Sequence, residues 1–285
     1  MIGLASTKRT GLIDMVQPIN RQSSFARGLV SAYVALPGLM TGPRFIDLMN
    51  PGTNGNHGTL TNAPTWSGLA PPGGWGSIKT VAASSQMVNC GTFSAADGSS
   101  KCSFGGWVYR SATSELVSAG FTGGSFTGGG NRFSYIWYSD GNIYISAELS
   151  AASYGYVGLS GTGWHRVDCV FDGTQGSNAT RLVVFIDSIQ QTLTYAEAAV
   201  PATIGTVSPF TLGRDANDRY ADGWYDGFQV FPGVALTSQQ VLSLYNESRL
   251  GYPTLFNRIS RPMAYASGAA AAATHHRLML LGVGA

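Results

Sequence analysis

A chain of 285 residues, 44% of them apolar and 11% charged, can bury one sizeable core, and all-β sandwiches reach this length as single domains. A formal net charge of +2 is too small to point to a nucleic-acid partner, and no apolar run reaches the length of a membrane span. Residues 1–27 lack the continuous apolar stretch of a secretion signal.

The charge is unevenly spread. Lys8, Arg9, Arg21 and Arg27 against Asp14 leave residues 1–27 at +3, and Arg258, Arg261 and Arg277 leave residues 251–285 at +3. Residues 28–250 hold ten basic against fourteen acidic residues, a net −4. A mildly acidic body therefore carries two basic arms, of the kind used for assembly contacts or acidic partners. Solvated, disordered termini are the alternative.

The N-terminal arm shows neither strand alternation nor helical period. Texture changes at Gly28, where Leu29 to Leu36 reads as a first strand stopped by Pro37 and Gly38. Phe45 to Leu48 follows, then a Gly- and Asn-rich turn at 50–58, a short strand at 59–61 and Trp66. Further strands are expected at 77–81, 86–89 and 104–109, before a glycine-rich link at 120–130. Residues 132–138 and 143–147 alternate around Ser139-Asp140-Gly141-Asn142, a strong hairpin signal. Tyr154 to Leu159 reads as an edge strand.

Two apolar strands, 164–171 and 182–187, flank the polar loop 174–180. Leu212-Gly213-Arg214-Asp215 and the strand 224–231 precede the one convincing helix, residues 238–245. Thr237 caps it with Gln240 three residues on, and Val241, Leu244 and Tyr245 form its apolar face. Gly251-Tyr252-Pro253 breaks the helix. A small-residue spacer then leads to an apolar tip containing Leu278, Leu280 and Leu281, which needs covering by the body or a partner. The pattern predicts an all-β, antiparallel two-sheet jelly-roll sandwich over 28–250, with one short C-terminal helix and extended arms at 1–27 and 251–285.

The order Trp107-Val108, Ser139-Asp140-Gly141, Trp164-His165-Arg166-Val167, Phe171-Asp172-Gly173, Ile186-Asp187, Leu212-Gly213-Arg214 and Asp226-Gly227 resembles a laminin-G-like domain of the concanavalin A-like lectin/glucanase superfamily. The whole chain, with its Tyr252-Pro253-Thr254-Leu255-Phe256-Asn257 segment, is similar to sandwich proteins of tailed phages. That resemblance implies a non-catalytic virion structural protein on the virion surface, a capsid decoration or adhesion module. It would be anchored to other virion or capsid proteins by Lys8, Arg9, Arg21, Arg258, Arg261, Arg277, Leu278, Leu280 and Leu281. Surface glycans and a second copy of the chain are the further partners expected. The alternative is a glycan-binding lectin module on a tail fibre or cell surface. Where family members carry loop acids for calcium, this chain reads Ala82-Ala83-Ser84-Ser85-Gln86, which argues against that metal site.

Catalysis finds little support. Retaining glycoside hydrolysis needs two carboxylates about 5–5.5 Å apart, and on a strand that predicts alternating acids. Glu115, Glu148 and Asp168 are isolated instead. Cys90, Cys102 and Cys169 read as free or buried thiols, Cys169 as a small core residue of an apolar strand. His57, His165, His275 and His276 lack zinc spacing. Asn178-Ala179-Thr180 and Asn246-Glu247-Ser248 read as chance glycosylation matches.

The densest acidic cluster lies in the loop 214–223. Asp215, Asn217, Asp218, Tyr220, Asp222 and Trp224 are the candidate ligand-binding set, with Asp215, Asp218 and Asp222 the residues that would hold calcium if any ion is bound. The competing reading is that Arg214 and Arg219 neutralise these acids on a solvated loop, with no cofactor. Of Trp137 and Tyr138, strand alternation sends one to the core and leaves the other for a sugar-binding face.

Overall fold

A computed structural model describes residues 27–36, 39–51, 55–123, 130–149 and 151–252. The arm residues Lys8, Arg9, Arg21, Arg258, Arg261, Arg277, Leu278, Leu280 and Leu281 lie outside them. Within the described residues no helix is long and apolar enough to cross a membrane.

The chain begins with β1 (Ser31–Tyr33), β2 (Arg44–Phe45), β3 (Gly58–Thr61), β4 (Thr65–Ser67), β5 (Ser77–Thr80) and β6 (Met87–Asn89). Longer strands follow: β7 (Lys101–Arg110), β8 (Val117–Phe121), β9 (Arg132–Trp137), β10 (Asn142–Glu148), β11 (Ser153–Gly158) and β12 (Gly163–Asp172). After α1 (Asn178–Arg181) come β13 (Leu182–Ile186), β14 (Ile189–Gln190), β15 (Thr194–Glu197), β16 (Phe210–Leu212) and β17 (Gly223–Pro232), and then α2 (Ser238–Arg249).

These strands form two antiparallel sheets. One runs β14-β13-β12-β7-β17-β5-β4, with β1 also paired to β17; the other runs β15-β11-β10-β9-β8-β16-β6-β3-β2. The all-β sandwich expected from the alternating aromatics is the architecture found. Alternation decides which side chains meet between the sheets. Phe104 of β7 packs edge-on against Phe133 at 5.0 Å and Phe210 at 5.4 Å, and lies parallel to Tyr135 at 6.0 Å. Each such fully buried aromatic contributes roughly 1.5–3 kcal/mol. Cys90, Cys102 and Cys169 are all buried, as small apolar side chains.

A second apolar cluster lies on the outer face of the first sheet. There Val241 and Leu244 of α2 meet Val170, Phe185 and Phe231. Thr237 caps α2 through Gln240 as its spacing predicts, but the helix runs four residues beyond Tyr245. Tyr252, assigned above to the C-terminal arm, is buried and donates a 3.2 Å hydrogen bond to the Gly227 carbonyl. Under the same face Arg166 binds Asp168 at 2.8 Å and Gln229 at 2.8 Å. The pair is fully buried, and Gly105 leaves it room: a Cβ there would stand 2.0 Å from Asp168 Oδ1.

Three readings of the chain need correction. The end of the loop 174–180 is helical, because α1 starts at Asn178, and Ser177 and Thr180 cap each other there. β8 occupies 117–121, part of which reads from sequence as a glycine-rich link. β11 is not an edge strand, because β15 pairs along it from Ser153↔Glu197 to Tyr156↔Thr194.

Candidate functional site

The outer face of the nine-stranded sheet carries a groove that follows directly from strand parity. In β9 and β10 the odd-numbered Phe133, Tyr135, Trp137, Ile143, Ile145 and Ala147 enter the core. The even-numbered positions must then face outward. Register sets them side by side: Ile136 opposite Tyr144, and Tyr144 opposite Tyr156. Ser146 lies opposite Ser134 and Tyr154 in the next row, and Glu148 lies opposite Arg132.

The hairpin at Asp140-Gly141 continues this parity past the strand end. Gly141 takes a φ of +81° in the turn, and Tyr138 closes it by accepting from the Gly141 amide at 3.2 Å. Tyr138 thus reaches the outer face while Trp137 is wholly buried, resolving that pair in favour of Tyr138. A second glycine keeps the neighbouring strand clear. Gly120 has φ +136°, and any Cβ would lie 2.5 Å from the Ser134 Cα.

The tyrosines form a continuous aromatic surface. Tyr138 meets Tyr144 edge-on at 5.2 Å, and Tyr144 contacts Tyr154 at 5.8 Å and stacks on Tyr156 at 5.4 Å. A groove of ≈ 350 Å³ opens beside them, lined by Tyr138, Tyr144 and Tyr154 together with Arg132, Ile136, Asp140, Ser146 and Arg219. This volume lies at the lower end of the range for small-molecule sites.

Each charged group lining the groove is held. Arg132 contacts Glu148 at 2.6 Å, and both side chains are nearly inaccessible. Burial raises the Glu148 carboxyl above its usual range, and Arg132 opposes that rise. Asp140 stands exposed at the opposite end, accepting from the Asn142 amide at 2.8 Å and from the Tyr144 hydroxyl at 2.7 Å. What burial it has works against ionisation, but these donors prevail and hold Asp140 below the ordinary value. The same hydrogen bond, followed by burial, raises Tyr144 to about 12. Burial also raises Tyr138, against the nearby Arg219 guanidinium.

The acidic loop enters the site in an unexpected way. Asp215 is fully buried and accepts from the amides of Asn217 at 2.8 Å and Arg219 at 2.9 Å. It also binds the Arg219 guanidinium at 2.5 Å, and that guanidinium lies 4.9 Å from the centre of the Tyr138 ring. Asp218 pairs with Arg214. Asp222 turns away to accept from the Ala82 amide at 2.9 Å. Tyr220 bridges back to Arg214 along the backbone. The candidate calcium ligands are thus engaged by protein donors, and the described residues hold no group of three or more His, Cys, Asp or Glu placed to share a metal ion.

Trp224 belongs to the other sheet. It lies in register with Tyr109 and Lys79, and Tyr109 with Trp164, so these side chains form one row across β5, β17, β7 and β12. Trp224 meets Tyr109 at 5.2 Å, and the Lys79 ammonium sits 4.7 Å above the indole. The structure therefore separates Trp224 from the residues that Asp215 organises. Sequence reasoning missed Arg132, Asp140, Tyr144, Ser146 and Tyr154 as a set. Their signal was the shared even parity of the hairpin strands, which marks a face without showing that it forms a groove.

No protein-family model matches this chain, and no curated protein matches it. Solved structures do share its fold. One is the binding domain of botulinum neurotoxin DC in complex with SialylT, with a TM-score of 0.54 and 10% identity over 78% of this chain and 51% of that one. Another is domain 4 of AbnA, an extracellular arabinanase of Geobacillus stearothermophilus, in complex with arabinotriose. Its TM-score is 0.51 and its identity 17%, over 76% of this chain and 98% of that domain. A third is Trypanosoma rangeli sialidase with 2,3-difluorosialic acid, with a TM-score of 0.53 and 15% identity over 78% of this chain. The match spans about half of the toxin domain and only 33% of the sialidase. What these proteins share with this chain is the two-sheet sandwich.

Proposed function

We propose that this chain is a non-catalytic glycan-binding sandwich whose site is the tyrosine-lined groove on β9, β10 and β11. The observation that carries the reading is the grouping of Tyr138, Tyr144 and Tyr154 with polar side chains in one open groove. Aromatic rings offer apolar faces to the C–H faces of sugars, while Asp140, Ser146 and the Arg219 guanidinium supply hydrogen-bonding partners for hydroxyls. The ligands of two of the compared structures, arabinotriose and a sialic-acid derivative, support the same class of partner.

Binding fits the groove better than hydrolysis. Asp140 lies in the turn before β10 and Glu148 is its last residue, and Asn142 and Glu148 at the two ends of the strand are six residue steps apart. At about 3.3 Å per residue their backbones stand on the order of 20 Å apart, beyond either carboxylate spacing used by glycosidases. Glu148 is also sealed beneath Arg132.

A glycan array probed with the full chain, followed by calorimetric titration of any hit, tests the proposal. Binding that disappears in Tyr144→Ala supports it; binding unaffected by that change places the site elsewhere. The virion-surface role implied by the sequence resemblance rests on arms outside the described residues, and the compared structures do not carry it.

A further inference from the structure

The glycan reading leaves open what kind of sugar the groove takes, and the charges on its walls bear on that choice. Two cations, Arg132 and Arg219, line the groove. Each is already bound by a buried carboxylate, Arg132 by Glu148 at 2.6 Å and Arg219 by Asp215 at 2.5 Å. An anionic sugar would have to compete with those carboxylates for the same guanidinium groups. It would also meet Asp140, an exposed carboxylate whose protein partners are an amide and a phenol rather than a cation. With two cations against three carboxylates, the groove and its immediate support carry one net negative charge.

We infer, on the basis of the glycan-binding reading above, that the groove selects neutral glycans, with Asp140 accepting hydrogen bonds from ring hydroxyls beside the Tyr144 ring. An ionised carboxylate is an acceptor at both oxygens, and Asp140, although held by Asn142 and Tyr144, remains exposed at the groove. Sugar hydroxyls are matching donors, and hydrogen bonds to a charged acceptor are the stronger kind. The Tyr144 hydroxyl donates to Asp140 at 2.7 Å, so the aromatic platform and the acceptor are fixed relative to one another. A glycan chain laid across the strands would pass from Tyr138 over Tyr144 toward Tyr154, and adjacent strands lie about 4.8 Å apart.

The test compares neutral arabinan, galactan and glucan oligosaccharides with sialylated and uronic-acid oligosaccharides, titrated into the full chain at low and high salt. The Asp140→Asn variant is titrated alongside. Asp140 occupies an exposed turn where asparagine is equally at home, so this change keeps the fold. The inference expects neutral sugars to bind with little salt dependence and Asp140→Asn to bind them roughly tenfold more weakly. Preferential binding of acidic sugars, weakened by salt and strengthened by Asp140→Asn, would overturn the neutral class while leaving glycan binding in place. Failure of both sugar classes to bind would remove the underlying reading as well.

Discussion

Asp215 and Arg219 are four residues apart in one loop, and their 2.5 Å contact sets the guanidinium over Tyr138 at the edge of the groove. The contact makes part of the acidic loop a bracket for a cation, with Arg219 neutralising an acid as the competing sequence reading expected. Asp215 is fully buried while the Arg219 side chain is 41% exposed. The ion pair itself is therefore substantially screened, and most of the carboxylate's value lies in its two backbone donors.

Replacing Asp215 with Ala should lower stability by about 1–3 kcal/mol, since it strands the amides of Asn217 and Arg219. It should also weaken ligand binding by releasing Arg219 from Tyr138. Arg219→Ala should reproduce the binding loss with a smaller stability change, which paired denaturation and titration curves would show. Equal stability losses in the two variants would contradict this division.

Calcium removal should leave the protein unchanged. Both oxygens of Asp215 are held within its own loop, and one oxygen each of Asp218 and Asp222 is held by Arg214 and the Ala82 amide. Thermal melts with added calcium and with a chelator should superimpose. A calcium-dependent rise in melting temperature would show that the loop can rearrange around an ion.

Tyr144→Ala should reduce glycan affinity about tenfold or more, since Tyr144 contacts Tyr138, Tyr154 and Tyr156 and donates to Asp140. Trp224→Ala, on the opposite sheet, should leave affinity unchanged. If the Trp224 variant lost binding and the Tyr144 variant kept it, the row formed with Tyr109 would become the site.

Asp226 should make stability depend on pH. Burial raises its carboxyl from 3.8 to about 7, against the opposing donors at Ala35 and Gly227. The folded state then holds a proton that the unfolded chain releases between those values, so stability falls as pH rises through that window. At 1.36 kcal/mol per pKa unit the loss is at most on the order of 4 kcal/mol. Urea midpoints measured from pH 4 to 8 should decline, and Asp226→Asn should flatten the decline. An unchanged slope in the variant would assign the effect to other buried acids.

Gly105→Ala should destabilise the fold by at least about 3 kcal/mol. Its Cβ would stand 2.0 Å from the Asp168 carboxylate and so disrupt the buried pair with Arg166. Chemical denaturation is the direct measurement, and a near-wild-type midpoint would mean that β12 can shift without cost.

Fold and site were legible to different depths. Alternation at 132–138 and 143–147, with Asp140-Gly141 between, predicted the central hairpin because that information is local. Thr237 and Gln240 predicted the start of α2 for the same reason. β8 was hidden because Gly120, which the structure needs for close approach to Ser134, reads as a breaker. β11 reads as an edge because its partner β15 lies some forty residues later and is mostly polar.

By itself the sequence determined the all-β class, the parity that divides Trp137 from Tyr138, and the acids available in the loop 214–223. Each depends on backbone period or residue type, which the chain carries locally. Only the tertiary structure decided that Tyr138, Tyr144, Tyr154 and Arg219 share one groove while Trp224 stands on the other sheet. It also decided that Asp215 serves Arg219. These outcomes depend on strand order and register, which are set by the packing of distant segments across a common core.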